Sequence, residues 1–302
     1  MRLNKQRRFL GGLAVIIICM TSVIAGAKES LFVPTLGGKQ IWSDVQIQND
    51  WRLQENVLTG HHRLLDENDR RVTWGSLQEC QQVLAKSFDK DEVSHLVIFV
   101  HGILRSAGSF AFLEKQLRQA GYKTTAISYA STRLTIEEHA ENLNILLDQL
   151  GNVEKVSFVS HSMGGLVLRQ ALGTRDLDED VFEIGNVVMI APPNQGSQIA
   201  DELKGNLFYQ LVYGVSGQQL TSDTASNFPL LTMPVGIIAG VSSSDEGYNL
   251  FVKGNDDMVV SLEEAHLEGV DDFLLINGLH STLLYQEATA SAVKQFLKNT
   301  KF

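Results

Sequence analysis

The sequence predicts an α/β protein with a mostly parallel central sheet, helices on both faces, and a small antiparallel β segment ahead of it. Three observations predict this. From Ser94 on, short apolar runs alternate with stretches of helical spacing, the pattern of strands joined by crossover helices. Leu96–Val100 is apolar at every position, as a strand covered on both faces must be. Residues 28–92 instead alternate apolar and polar side chains and hold all three tryptophans, Trp42, Trp51 and Trp74.

In the first segment, strands are expected at Gln40–Ile47, Trp51–Val57, His61–Leu65 and Val72–Trp74, with turns at Asn49-Asp50 and Asn68-Asp69. Ser76 is placed as the N-cap of a helix running to Phe88, with Leu77, Cys80, Val83, Leu84 and Phe88 on one face. The charged stretch Asp89–Glu92 marks the boundary, and 93–302 forms the main domain. There the expected strands are Leu96–Val100, Thr124–Ser128, Val156–Val159, Val187–Ile190, Val235–Ala239 and Phe273–Ile276. Helices are expected at Phe110–Ala120, Thr135–Leu150, from the glycines after Ser162 to Leu172, and from Ser281 to Leu297.

The beginning of the chain reads as an export signal. Arg2, Lys5, Arg7 and Arg8 form a basic head, Phe9–Ala27 carries no charge, and Ala25-Gly26-Ala27 fits a small-residue cleavage site. The expectation is a periplasmic or secreted protein cleaved after residue 27, with an uncleaved membrane anchor as the alternative. Cleavage would remove four basic and no acidic residues and take the net charge from −10 to −14. Such an acidic chain lacks the electrostatic footprint of a nucleic-acid binder. Cys80 would then be the single cysteine, expected to be buried rather than bridged. His61-His62 is a poor metal site, because no third ligand follows at a useful spacing.

Ligands of parallel sheets bind at the carboxyl ends of the strands. Ser162 follows the strand Val156–Val159 and opens a helix within Ser160-His161-Ser162-Met163-Gly164-Gly165, the strand–nucleophile–helix elbow, with Ser160 where the first glycine usually stands. A serine needs a base and the base an orienting carboxylate. Downstream histidines are His266, within an expected surface helix over Ser261–Glu268, and His280, in the loop after Phe273–Ile276; His280 is the expected base. Asp245, Asp256 and Asp257 satisfy the chain order for the acid, with Asp257 preferred and Asp256 the runner-up. The oxyanion donors are expected to be the amides of Met163, at the helix start, and Ile103, in the His101-Gly102-Ile103 turn. His101 and His161 are assigned to bracing these turns.

Together the elbow, Val100-His101-Gly102-Ile103, Asp257-Met258-Val259-Val260 and Gly278-Leu279-His280 resemble the bacterial lipase/esterase branch of the α/β-hydrolases. Ala191-Pro192-Pro193-Asn194-Gln195-Gly196-Ser197 resembles a segment of the related PGAP-like and lecithin-acyltransferase-like hydrolases. The resemblance covers roughly residues 94–300 and leaves out 28–92. It implies the α/β-hydrolase fold and serine-hydrolase chemistry without a cofactor, and it does not fix the substrate. The expected substrate is a carboxylic ester of a lipid or other acyl chain, with transient contact with a lipid interface and no metal. Two rivals stand beside it. One is an acyltransferase with the same acyl-enzyme; the other is a binding module on a hydrolase scaffold, which would generally have lost the serine, the histidine or an elbow glycine. Residues 199–234 are long for a connection. Their apolar stripe, Leu203, Leu207, Phe208, Leu211 and Val212, suits either a cap over the acyl pocket or a helix packed on the sheet. Arg105–Phe110 are further candidates for the pocket lining.

Overall fold

The computed structural model describes residues 40–48, 50–87, 92–244, 247–249 and 252–302. The expected export signal, Asp245, and residues 89–91 of the expected boundary lie outside these. Among the described residues no helix is long and apolar enough to cross a membrane.

Strands β1 (Trp42–Gln48), β2 (Trp51–Asn56), β3 (His62–Leu65) and β4 (Arg71–Gly75) form an antiparallel meander in that order. Asp50 and Asp69 take positive φ at two of its turns, a conformation their short polar side chains tolerate. Helix α1 (Leu77–Ser87) starts at a reciprocal cap: Ser76 Oγ accepts from the Glu79 amide, and the Glu79 carboxylate accepts from the Ser76 amide at 2.8 Å. Leu53, Leu64, Cys80 and Leu84 close a small core between α1 and the sheet, so the Cys80 thiol is buried.

The larger sheet contains β5 (Leu96–Val100), β6 (Lys123–Ile127), β7 (Lys155–His161), β8 (Glu183–Ile190), β9 (Val235–Val241) and β10 (Asp272–Asn277). All pairs are parallel, in the order β10-β9-β8-β7-β5-β6. Helices α2 (Ala111–Gln119), α3 (Ile136–Asp148) and α4 (Gly164–Thr174) connect the first four of these strands. Short α5 (Gln198–Leu203), longer α6 (Leu207–Gln218) and short α7 (Ser222–Ala225) lie between β8 and β9. Single-turn α8 (Leu262–Ala265) and C-terminal α9 (Glu287–Asn299) flank β10.

The apolar strands feed two cores at once because successive side chains point to opposite faces. Ile98, Val100, Phe158, Val187 and Met189 face the core containing α3 and α4, while Val97, Phe99, Val159, Val188 and Ile190 face the one containing α2 and α9. The chain leaves β5 toward β6 on one side and returns through β7 on the other. The loops after β5 and β7 therefore diverge at a topological switch point, where open α/β sheets bind ligands.

The meander is tied to the main sheet by polar contacts. Asp44 on β1 donates its amide to Ser128 O, and its carboxylate accepts from the Ser128 amide at 2.6 Å, from Arg52 at 2.8 Å and from Gln54 at 2.7 Å. Ser43 Oγ accepts from the Ala130 amide.

The expected Ser281–Leu297 helix is interrupted. A 3-10 turn at Leu283–Tyr285 is followed by extended backbone at Gln286, and α9 begins at Glu287. Gln286 turns back so that its side-chain amide donates to Asn277 O at the end of β10, a bond made across the loop that a continuous helix does not supply. The helix expected at Ser261–Glu268 is only the single turn α8, capped by Ser261 and Glu264.

Candidate active site

Ser162 sits at the end of β7 with φ 54°, a left-handed conformation that costs energy for any residue with a Cβ. Its amide extends the β7–β8 ladder by donating to Ile190 O at 2.9 Å. Tight packing around the turn holds it in place. A Cβ on Gly164 would stand 2.2 Å from Val100 O, and one on Gly165 would stand 3.0 Å from Pro192 Cβ. Only glycines let α4 start this close to the sheet. Ser160, in place of a glycine, is fully buried.

The turn after β5 faces this elbow. A Cβ on Gly102 would lie 2.8 Å from Ser162 Cβ and 3.1 Å from His161 O. The Leu104 amide donates to Ser131 Oγ and the Arg105 amide to Gly102 O. Among the described residues, the amides of Ile103 and Met163 donate to no protein group. The Met163 amide also stands at the positive end of α4.

His101 is braced as expected of a turn residue. Its Nδ1 bonds Gly102 O at 2.8 Å and its Nε2 accepts from the Tyr129 amide at 3.3 Å, which places the proton on Nδ1. The Tyr129 ring stacks on His101 with centroids 4.1 Å apart, and its hydroxyl donates to His101 O. His161 donates from Nε2 to His280 O at 3.0 Å, and the two rings are 4.6 Å apart. Burial, reinforced by the neighbouring His280 and Arg105, drives the His161 pKa well below the ordinary histidine value, so it is neutral here.

Asp257 is fully buried and held from three directions. Its Oδ1 accepts from the amides of Val259 at 3.0 Å and Val260 at 2.8 Å, and its Oδ2 bonds His280 Nδ1 at 2.7 Å. The backbone adds a fourth tie, His280 N to Asp257 O at 2.8 Å. With Nδ1 engaged by the carboxylate, Nε2 is the nitrogen left for chemistry. Asp256 turns elsewhere. It accepts from the amides of Met258 at 2.6 Å and Asn249 at 3.1 Å, and burial raises its pKa. His266 is exposed at the C-terminal end of α8 and has no contact with Ser162 or Asp257 among the described residues.

Ser162 and His280 line one cavity with Gly102, Ile103, Arg105 and His161. No hydrogen bond joins Ser162 to His280 among the described residues, a looseness common in sites without substrate. The remaining wall is apolar or aromatic: Pro193, Ile199, Tyr209, Tyr213, Leu220, Val259 and Val260, with Ser197. Thus α5, α6 and the segment after them supply Ile199, Tyr209, Tyr213 and Leu220 to the wall, while Leu207, Phe208, Leu211 and Val215 of α6 face outward. Of Arg105–Phe110, only Arg105 reaches the cavity.

Sequence reasoning missed the contribution of the first segment. Gln40 Oε1 accepts from Ser131 Oγ at 3.0 Å and Thr132 Oγ1 at 3.3 Å, and its Nε2 donates to Arg105 O at 3.0 Å. This side chain spans the loops after β5 and β6, a relationship with no periodic signal.

The fold has known counterparts. Bacillus licheniformis lipase BlEst2 in its mature form superposes with a TM-score of 0.56 at 19% identity, over 71% of this chain and 95% of that one. The metagenomic carboxyl esterase MGS0156 gives a TM-score of 0.52 at 18% identity, over 64% of this chain and 66% of that one. At such identities the likeness carries the fold, which is the α/β-hydrolase fold preceded by a small antiparallel sheet. In sequence, Methylesterase 3 of Arabidopsis thaliana is 31% identical over 93 residues, which are 28% of this chain and 35% of that relative's length. Over residues 61–241, more than half of its length, the chain matches the model of a domain of unknown function (DUF7379), and it belongs to that family.

Proposed function

We propose that the protein is a serine hydrolase of carboxylic esters. The observation that carries this reading is the buried His280–Asp257 pair, bonded at 2.7 Å, on the same cavity as a serine in left-handed backbone conformation. The similarity to proteins named lipase, carboxyl esterase and methylesterase supports an ester as the bond cleaved.

In this reading Ser162 Oγ attacks the ester carbonyl while His280 Nε2 takes its proton. Negative charge develops on the carbonyl oxygen, where the free amides of Ile103 and Met163 receive it. The tetrahedral intermediate collapses, and the alcohol leaves with the proton from His280. Water then loses a proton to His280 Nε2 and attacks the acyl-enzyme; as the second tetrahedral intermediate collapses, His280 returns the proton to Ser162 Oγ and the carboxylic acid leaves. Asp257 fixes the tautomer and offsets the imidazolium charge. Export through residues 1–27 belongs to this proposal, as does a cap role for 199–234, supported by the four cavity-wall residues that the region supplies.

Hydrolysis of 4-nitrophenyl esters from acetyl to palmitoyl by the protein and by Ser162→Ala tests it. Turnover by the former alone is expected, with fluorophosphonate labelling at Ser162. A folded protein that cleaves none and takes no label at Ser162 refutes it. Product analysis with an added alcohol would expose acyl transfer instead.

A further inference from the structure

Arg105 is the one formally charged side chain on the cavity wall among the described residues. Its setting differs from those of the other held arginines. Arg52 meets Asp44 and the Ala126 carbonyl, and Arg175 meets Asp148 and Asp180. Arg169, with no carboxylate, donates to the carbonyls of Pro229, Asn194 and Phe228. Arg105 donates only to Ser281 Oγ and forms no ion pair among the described residues. A guanidinium has five N–H donors in a planar fork, so most of its capacity is unused. The chain has 35 acidic residues, yet burial lowers the Arg105 pKa and only the phenol of Tyr285 opposes the shift.

Its position is fixed. Arg105 lies two residues beyond Ile103, its amide donates to Gly102 O and its carbonyl accepts from Gln40 Nε2 at 3.0 Å. Ser281, its side-chain partner, directly follows His280. The cation therefore bridges the oxyanion turn and the loop carrying the base, while Ile199, Tyr209, Leu220 and Val259 give the cavity its apolar walls.

We propose that the substrates are esters bearing an anionic oxyacid group, a carboxylate or a phosphate, and that Arg105 binds this group in the candidate active site. The proposal rests on the ester-hydrolase reading and narrows its substrate class. The bond is charge-assisted and suited to a two-oxygen acceptor, and the hydrocarbon part of the ester occupies the apolar walls. Since the protein as a whole is acidic, selection comes from this one local cation rather than from long-range attraction.

Two matched pairs test it. Mono-4-nitrophenyl adipate against 4-nitrophenyl hexanoate places a carboxylate on the acyl side. 1-Hexanoylglycerol 3-phosphate against 1-hexanoylglycerol places a phosphate on the alcohol side. In at least one pair, the anionic member should have kcat/KM about tenfold or more above its neutral partner. Arg105→Gln should remove that preference, and Arg105→Lys should restore part of it. Neutral esters matching or exceeding both anionic ones would overturn the proposal, as would a preference unchanged in folded Arg105→Gln. If that variant does not fold, the wild-type preference and its partial retention in Arg105→Lys decide. If no ester is cleaved and Ser162 takes no label, the hydrolase reading itself has failed. Calorimetry then settles Arg105 alone: 1-hexanoylglycerol 3-phosphate or mono-4-nitrophenyl adipate should bind the wild type and bind Arg105→Lys more weakly, and no binding of either to the wild type refutes the anion site.

Discussion

Gly102 and Ser162 are pressed together across the switch point of the sheet, so that a Cβ on Gly102 would stand 2.8 Å from Ser162 Cβ. Two turns from strands far apart in sequence thus form one surface. The contact sets the spacing between the Ile103 amide and the serine. Gly102→Ala must push one turn away by a few tenths of an ångström, and the 3.1 Å approach to His161 O blocks the simplest escape. The expected result is a folded protein with kcat lowered on the order of 10²-fold, as when an oxyanion donor is lost. Steady-state kinetics and the rate of fluorophosphonate labelling check this. Wild-type values for both would show that the contact has no bearing on the chemistry.

The neighbouring carboxylates Asp256 and Asp257 should separate cleanly. In Asp257→Asn, the amide can present its NH₂ to His280 Nδ1, which places the histidine proton on Nε2 and removes the base. A loss in kcat on the order of 10³–10⁴-fold follows. Asp256 holds the amides of Met258 and Asn249 and does not reach His280. Asp256→Asn should lower stability by about 1–3 kcal/mol, with a much smaller kinetic effect. Kinetics and urea unfolding on the two variants suffice, and equal kinetic losses would sink the assignment.

The contrast between these two aspartates shows where the sequence was legible. Strand order confined the acid to the segment between β9 and the histidine and so to a few positions, because a parallel sheet delivers its loops to one edge. Choosing between adjacent residues required the turn itself, in which Met258 takes φ 87° and the two carboxylates diverge. β5 was legible because burial on both faces leaves it apolar at every position. The interruption at Gln286 was not, since its side chain answers a carbonyl nine residues away in sequence. Gly214 is similar. It takes φ 62° at a kink inside α6, and a residue with a Cβ does not fit there because that Cβ would stand 1.8 Å from Thr132 O, a contact fixed by tertiary packing alone. Gln40 is an unremarkable letter whose meaning comes from what surrounds it, and Arg105 could be placed near the pocket but not paired with Ser281.

The tie between the meander and the main sheet is expected to matter for stability. Asp44 is buried and accepts from Ser128 N, Arg52 and Gln54 together. Asp44→Ala leaves the Ser128 amide without its carboxylate and Arg52 with only the Ala126 carbonyl and the more distant Asp69, and should destabilise the protein by about 3 kcal/mol. Gln40→Ala removes three hydrogen bonds at a less charged site, with a loss of about 1–3 kcal/mol. Chemical denaturation reads both. A change under about 0.5 kcal/mol for Asp44→Ala, the range of an ordinary surface substitution, would mean that the meander does not support the main sheet.

Two buried histidines should make the fold acid-sensitive. His139 has Tyr129 edge-on at 4.7 Å and Ser216 Oγ at 3.4 Å from its Nε2, and burial pushes its pKa down to about 3. His161 is depressed in the same direction. Above the unfolded value of about 6.5 both states hold neutral imidazoles and no stability is lost. Below it the unfolded chain binds protons that the native state refuses. Each histidine then removes about 1.4 kcal/mol of stability per pH unit, down to its folded pKa. Asp256 and Glu264 act in the opposite sense, because burial raises their pKa values and the native state takes up the extra protons. Comparison of the wild type with His139→Gln cancels that contribution. Urea unfolding at pH 7, 6 and 5 should give a shallower loss of stability in the variant, by about 1.2 kcal/mol between pH 6 and 5. Parallel lines for the two proteins would mean that His139 is protonated in the native state, or that the unfolded chain does not titrate it at its ordinary value.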